Sequence, residues 1–247
     1  TKQRFVNDLK AALNAAWPRL SADRKKLNPT FLAIVKAGFK AERVDDDDHV
    51  SVARDNQILT DEEVGAILQA ACEVDQEQGF DGDLYRIVVC LAATGARYAQ
   101  VRRMRVGDVQ VSARRLMVPG SYKGRGGNSG SDPVPVGDDV IEVLLPAIAG
   151  RPSDAPLFER WIHEQEPSGI AWKKSERGPW KRGELARPWK AIRQRAGMPE
   201  VIPYALRHSS IVRGLRKGLP IQQVAKLHNT SVKMIERHYA KYIATAL

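Results

Sequence analysis

Apolar residues recur along most of this chain at three- and four-residue spacing, the period of a helix with one buried face. Phe5, Leu9, Leu13 and Ala16 mark the first such stripe and predict an amphipathic helix over 3–16. The stripe breaks after Trp17, where Pro18 and Pro29 interrupt it. It resumes behind Thr60 and Glu63, which have the spacing of a capping box, with Val64, Ile67, Leu68 and Ala71 on one face. Leu84, Ile87, Val88 and Leu91 predict a second helix over 83–93, stopped by Gly95. A short helix over 98–104 follows.

The period then changes. VGDVQV, RRLMVPGSY and DPVPV read as short strands around a glycine-rich turn, GRGGNSG. Helical spacing returns over 139–148, 187–197, 207–218, 221–228 and 231–243. The predicted fold class is mainly α with a small antiparallel β-sheet (α+β), without internal repeats. The expected division is an N-terminal helical piece (1–28), a linker (29–56) that touches the next domain through Phe31, Leu32, Ile34 and Phe39, and a main domain (57–247).

Composition narrows the partners. The 247 residues, 43% hydrophobic, suffice for one large domain or for one domain plus a fragment. Lys and Arg outnumber Asp and Glu by 39 to 29, a net charge of +10, which favours a polyanion such as nucleic acid. A basic but merely solvated surface gives the same count. No apolar run approaches the roughly 18 residues of a membrane span, and the opening TKQRFVNDLK carries no signal peptide. Cys72 and Cys90 sit in apolar helical patterns and read as reduced core thiols. The acidic run DDDDH (45–49) repels itself instead of converging, and no Cys/His set has zinc spacing, so no metal is expected.

The residues that carry chemistry are few. Arg97 follows a Thr-Gly turn in LAATGARYAQ. Arg207, with His208 beside it, opens a helix in PYALRHSS. Lys123 sits in the turn GSYKGRGG, next to Arg125. Tyr239 ends the string MIERHY. A tyrosine can attack a phosphodiester, forked guanidiniums can hold the phosphate, and an ammonium can protonate the leaving oxygen. Each has a plainer alternative: a surface arginine, glycines for flexibility, an ordinary amphipathic terminal helix. Tyr242 shares the face of Tyr239 and is its rival.

With these motifs in this order, the chain resembles the catalytic domain of the tyrosine recombinases, the phage-integrase class, over roughly 57–247. The resemblance implies that fold, with residues 1–28 as the last helix of a truncated core-binding domain. It assigns Arg97, Lys123, Arg207 and Tyr239 to catalysis. In the family's His-x-x-Arg box the first position here is Tyr204, and a Glu often found three residues after the first arginine is Gln100, read as structural support. Where the family has His or Trp about ten residues before the tyrosine, this chain has Asn229 in LHNTS, with His228 adjacent; which of the two fills that role stays open. Tyr204, His208, His228 and Asn229 are therefore the possible phosphate or transition-state supports, with His208 expected to brace the tyrosine segment. Arg102, Arg125, Lys173, Lys174, Lys181 and Arg182 are candidate DNA contacts, although a solvated loop explains those after Trp172 nearly as well.

The function implied is site-specific recombination or integration through a 3′-phosphotyrosyl intermediate, with no cofactor, metal or ATP. The partner is double-stranded DNA, bound by a homotetramer on paired sites that is monomeric without DNA, in a bacterial or phage-encoded, nucleoid-associated cytoplasmic setting. Two other readings remain: a tyrosine-class type I topoisomerase, and a DNA-binding protein whose catalysis has decayed.

Overall fold

Thr60 and Glu63 form the expected capping box. Glu63 N donates to Thr60 Oγ1 at 3.2 Å and Thr60 N donates to Glu63 Oε2 at 2.8 Å. Behind it runs α1 (Asp61–Glu77), which packs against α2 (Asp83–Thr94). These coordinates, a computed structural model, describe residues 55–121, 130–166 and 171–244, together with Asp8 and Ala12, both helical and exposed. The rest of the expected 3–16 helix, residues 29–54 of the expected linker with its acidic run, and GRGGNSG up to Ser129 lie outside the described residues. Ser51–Leu247 forms one compact unit.

The turn between α1 and α2 is built on a buried carboxylate. Asp75 is 3% exposed and accepts hydrogen bonds from Gly82 N (2.7 Å) and Tyr85 N (2.9 Å). This satisfies amide donors at a helix start that have no partner within the helix. The helix itself is apolar almost all round, with Leu84, Ile87, Val88 and Cys90 at zero exposure, so it lies in the centre of the domain. It ends at Gly95, which adopts the left-handed conformation at φ 59°. Glycine is required here for two reasons: the positive φ, and a Cβ that would come within 2.8 Å of His228 and Ser210 side-chain atoms.

The short helix α3 (Tyr98–Val101) is briefer than its expected span. The chain leaves it so that Met104 O can accept from Leu157 N (2.8 Å) and Val106 N can donate to Ala155 O (3.0 Å). Val106–Asp108 then forms a 3₁₀ turn where a strand was expected. The antiparallel sheet that follows is ordered β1 (Val109–Gln110), β2 (Arg115–Pro119), β3 (Ser131–Pro135). Leu116 pairs opposite Val134, both buried, so this face of the sheet meets the core. Helix α4 (Asp138–Ile148) packs on α2 and β1.

One element has no counterpart in the sequence reading. Residues 159–179, assigned to no helix or strand, with a solvated loop weighed against DNA contacts for its basic residues, form a second antiparallel hairpin, β4 (Glu159–Gln165) and β5 (Trp172–Pro179). Its strands carry charge where a half-buried strand would alternate, so periodicity gave no signal. Cross-strand pairing does the work instead: Glu164 faces Lys173, and Trp161 faces Arg177, whose guanidinium lies over its ring at 5.2 Å.

Helices α5 (Ala186–Arg195), α6 (Ala205–Arg216), α7 (Ile221–Leu227) and α8 (Val232–Ala244) complete the domain within one to two residues of their expected bounds. The architecture is mainly α with small antiparallel sheets, as expected. Buried apolar residues fall into two clusters. The larger spans α1, α2, α4, α5 and the three-stranded sheet; the smaller holds Ile211, Leu215, Val224 and Ile235 from α6 to α8. Helix α6 belongs to both, through Leu206 at its start and Ile211 further along. Cys72 and Cys90 are free thiols, and burial pushes Cys90 up to about 12. No helix among the described residues is long and apolar enough to cross a membrane.

Because two backbone donors converge on Asp75, Asp75→Ala leaves both unpaired in a buried turn. The expected loss is about 2–3 kcal/mol of unfolding free energy. It is read from urea melts, and a variant as stable as wild type would count against this account of the turn.

Candidate active site

Two guanidiniums meet at one helix end. Arg207, in the first turn of α6, is 2% exposed. Its Nη1 donates to Gly95 O at 2.8 Å and its Nη2 donates to His228 O. Both carbonyls cap helix C-termini, of α2 and α7, where unsatisfied C=O groups concentrate partial negative charge. Arg97 comes in from the segment after α2, and its Nη1 donates to the next carbonyl, Asn229 O, at 3.3 Å. Asn229 has φ 46°, and this left-handed residue helps place two successive carbonyls before two arginines. Burial first, and then the Arg97 charge, lowers the Arg207 pKa from its ordinary value. Among the described residues neither arginine has a carboxylate ion-pair partner. Two like charges held together without a counter-anion form a site suited to a phosphate.

Tyr239 lies within the electrostatic reach of this pair. It is 5% exposed, and its hydroxyl shares a 2.7 Å hydrogen bond with His208 Nδ1. The backbone of α8 departs from helical geometry at this residue (φ −133°, ψ 15°), so the helix bends where the tyrosine turns inward. Burial raises the phenol pKa and Tyr204 adds to the rise, while Arg207 and Arg97 oppose it. His208 is held down at about 4 by burial, then by Arg207 and His238, and is neutral near pH 7. Tyr204 is 39% exposed; its ring lies under the Arg207 guanidinium at 5.8 Å and meets the His208 ring edge-on at 4.9 Å. Tyr242 occupies another setting, with Arg216 and Lys241 over its ring at 5.6 and 5.0 Å.

The neighbours of the arginines are supports. Gln100, 1% exposed, accepts from Arg97 N at 3.1 Å and donates to Pro119 O at 2.7 Å, so it fastens the Arg97 segment to the end of β2. His228 has both ring nitrogens engaged inside the protein. Nδ1 donates to Val224 O at 2.8 Å, leaving Nε2 to accept from Ser210 Oγ at 2.9 Å. Burial, aided by the Arg207 and Arg97 charges, holds it at about 4. It braces the α7 terminus and does not present a donor to a phosphate. Asn229 is also engaged: its Oδ1 accepts from Ser121 N (3.1 Å) and Ser121 Oγ (2.6 Å), and its Nδ2 donates to Asp132 at 3.0 Å. It therefore ties both ends of the β2–β3 hairpin to the arginine pair. Ser121, Asp132 and Ser210 have no sequence signal of their own, because each matters only through a partner more than 15 positions away.

Comparisons with known proteins place the family and the fold. The model of the phage integrase family matches residues 57–244. The chain belongs to the phage integrase family. No curated protein matches it. Among solved structures it is similar to XerA recombinase, at 20% identity and a TM-score of 0.54, covering 73% of this chain and 58% of that one. It is also similar to the Tn1549 transposon integrase in complex with transposon right end DNA (14% identity, TM-score 0.53, 96% and 81% covered). The same integrase in complex with circular intermediate DNA gives 16% identity and a TM-score of 0.54, with 99% and 79% covered. At such identities these structures speak for the fold.

The remaining candidates of this phage-integrase domain are scattered. Lys123 and Arg125 lie outside the described residues. Arg102 lines a polar cleft of about 400 Å³ with Arg103, Arg105 and two aspartates. Lys174 is engaged by Asp81 at 3.0 Å and stacks over Trp161, so it is less available to DNA than its sequence suggested. Lys173 is exposed opposite Glu164, and Lys181 and Arg182 are exposed in the turn before α5.

The depressed His228 pKa has a definite sign. Between its ordinary 6.5 and about 4 the unfolded chain binds the proton first, so this residue lowers stability as pH falls through that window. Wild type is expected to exceed His228→Gln in stability at pH 7, and the gap to narrow by up to about 3 kcal/mol at pH 4. Urea melts of both proteins across the window test this; a constant or widening gap contradicts it.

Proposed function

We propose that this chain is the catalytic part of a site-specific DNA recombinase that cuts and rejoins DNA through Tyr239. The observation that supports it best is a buried Tyr239 hydroxyl within the field of two arginines that share one turn and have no carboxylate partner among the described residues. In this reading the scissile phosphate lies on Arg97 and Arg207, and Tyr239 attacks phosphorus to form a 3′-phosphotyrosyl link. Tyr204, exposed beside Arg207, donates to a phosphate oxygen. Lys123 protonates the leaving 5′ oxygen. A 5′ hydroxyl of the partner strand then reverses the step. The covalent link conserves the energy of the broken bond, so exchange needs no ATP. Double-stranded DNA is the partner, with four protomers on paired sites and a monomer in its absence. The setting is the cytoplasm of a bacterium, on the nucleoid.

In this reading the tyrosine acts from its own chain, since Tyr239 contacts its own His208. The test is covalent trapping on a pool of nicked duplexes with randomised cores, followed by denaturing electrophoresis. Wild type and Tyr242→Phe are expected to form a DNA adduct, Tyr239→Phe none, and Arg207→Ala at least about 100-fold less. Loss of the adduct in Tyr242→Phe alone would move the nucleophile. Retained DNA binding with no adduct in wild type would favour the decayed DNA-binding protein.

A further inference from the structure

The contact between His208 and Tyr239 has a chemical use beyond bracing. A neutral phenol is a poor nucleophile, and attack on phosphorus requires that its proton leave. The groups around the Tyr239 oxygen offer few acceptors. Tyr204 is another phenol, and the other imidazole at hand, His238, meets the Tyr239 ring with centroids 6.4 Å apart, further than His208 at 5.7 Å. His208 Nδ1 stands 2.7 Å from the oxygen that would attack. That is within reach for direct proton transfer. Its ring is held by the edge of Tyr204 at 4.9 Å on the same helix, and the bend of α8 brings the tyrosine to it.

We infer that His208 Nδ1 accepts the phenolic proton of Tyr239 as the tyrosine attacks, making His208 the general base of strand cleavage. This rests on Tyr239 as the nucleophile of the proposed function. The balance is closed: the Oη–P bond forms, the Oη–H proton passes to Nδ1 to give an imidazolium, and the P–O5′ bond breaks. The departing O5′ is protonated by the leaving-group acid. In rejoining, the incoming 5′ hydroxyl attacks phosphorus and gives its proton to the conjugate base of the leaving-group acid, while the imidazolium returns its proton to the departing Tyr239 oxygen.

The charges facing the pair explain why the base is silent without DNA. Arg207 adjoins His208 on α6, His238 faces it from α8, and Arg97 reaches Tyr239 from the segment after α2. Burial first, and then the Arg207 charge, keep the imidazole neutral, while burial keeps the phenol protonated. A phosphodiester bound to the arginines offsets the field that opposes an imidazolium. The same anion that is the substrate thus raises the basicity of His208 when it arrives.

The experiment is single-turnover adduct formation on nicked DNA from pH 5 to 9, comparing wild type with His208→Gln. Both are repeated with Tyr239 replaced by a fluorinated tyrosine, whose phenol is more acidic. DNA affinity and circular dichroism of each protein check binding and folding. The expected result is that His208→Gln binds DNA as wild type does, cleaves about 100-fold more slowly, and loses the fall in rate on the acid side. The fluorinated tyrosine is expected to recover a larger fraction of the rate in His208→Gln than in wild type, which a bracing role would not produce. Wild-type rate and pH profile in His208→Gln, or an equal response of both proteins to fluorination, overturns the inference while leaving the proposed function standing. No adduct from wild type itself overturns both.

Discussion

Arg207 brings a positive charge into the interior and meets there the carbonyls of Gly95 and His228, the ends of two helices. Burying an ion costs several kcal/mol after relaxation. Hydrogen bonds to a charged group return about 1.5–3 kcal/mol each, and the negative ends of two helix dipoles add to them. The bonds do more than offset a cost. They require α2 and α7 to end at the same place, and they require glycine at position 95, where a Cβ would meet the His228 ring and Ser210. With Arg97 anchored one carbonyl further on, two cations are fixed side by side before any ligand is present. An anion that enters finds its electrostatic complement already organised, with little reorganisation left to do.

Rigidity around that cation comes from three directions. Helix α6 carries Arg207 and runs from the larger apolar cluster into the smaller, so the clusters cannot move apart without disturbing it. Gln100 ties the Arg97 segment to the end of β2. Asn229 ties the same region to the segment just after β2 and to β3, through Ser121 and Asp132. These two amides stand at positions where the family resemblance suggested a carboxylate and an imidazole or indole. In each case a neutral side chain that both donates and accepts links two separate stretches of chain, which a group able only to accept or only to donate would not do.

Much of the fold was legible in advance because its signals are local. The capping box at Thr60, the αL stop at Gly95 and the 3.6-residue stripes of α1, α2 and α4 to α8 each follow from neighbours in sequence. The hairpin of β4 and β5 was not legible, since Trp161, Lys174 and Arg177 stabilise it through cross-strand contacts that periodicity does not register. At the site, the arginines and the tyrosine were visible as residue types in an order, and with them Gln100 as a support and His208 as the brace of the tyrosine. Ser121, Asp132 and Ser210 were not visible, and neither was the difference between His228 and Asn229.

By itself, the sequence determined which chemistry was available: two guanidiniums, a late tyrosine and a histidine beside the second arginine, on helices whose faces were already assigned. Only the tertiary structure decided how they are used. Arg97 and Arg207 lie 110 positions apart, and Tyr239 a further 32 beyond, and nothing local brings them together. Whether an imidazole faces a phosphate, a carbonyl or a phenol is set by packing across such separations, where a turn of one helix decides its partner. That is why His228 became a brace of the α7 terminus, and why His208, expected to support the tyrosine segment, came within hydrogen-bond reach of the phenol itself.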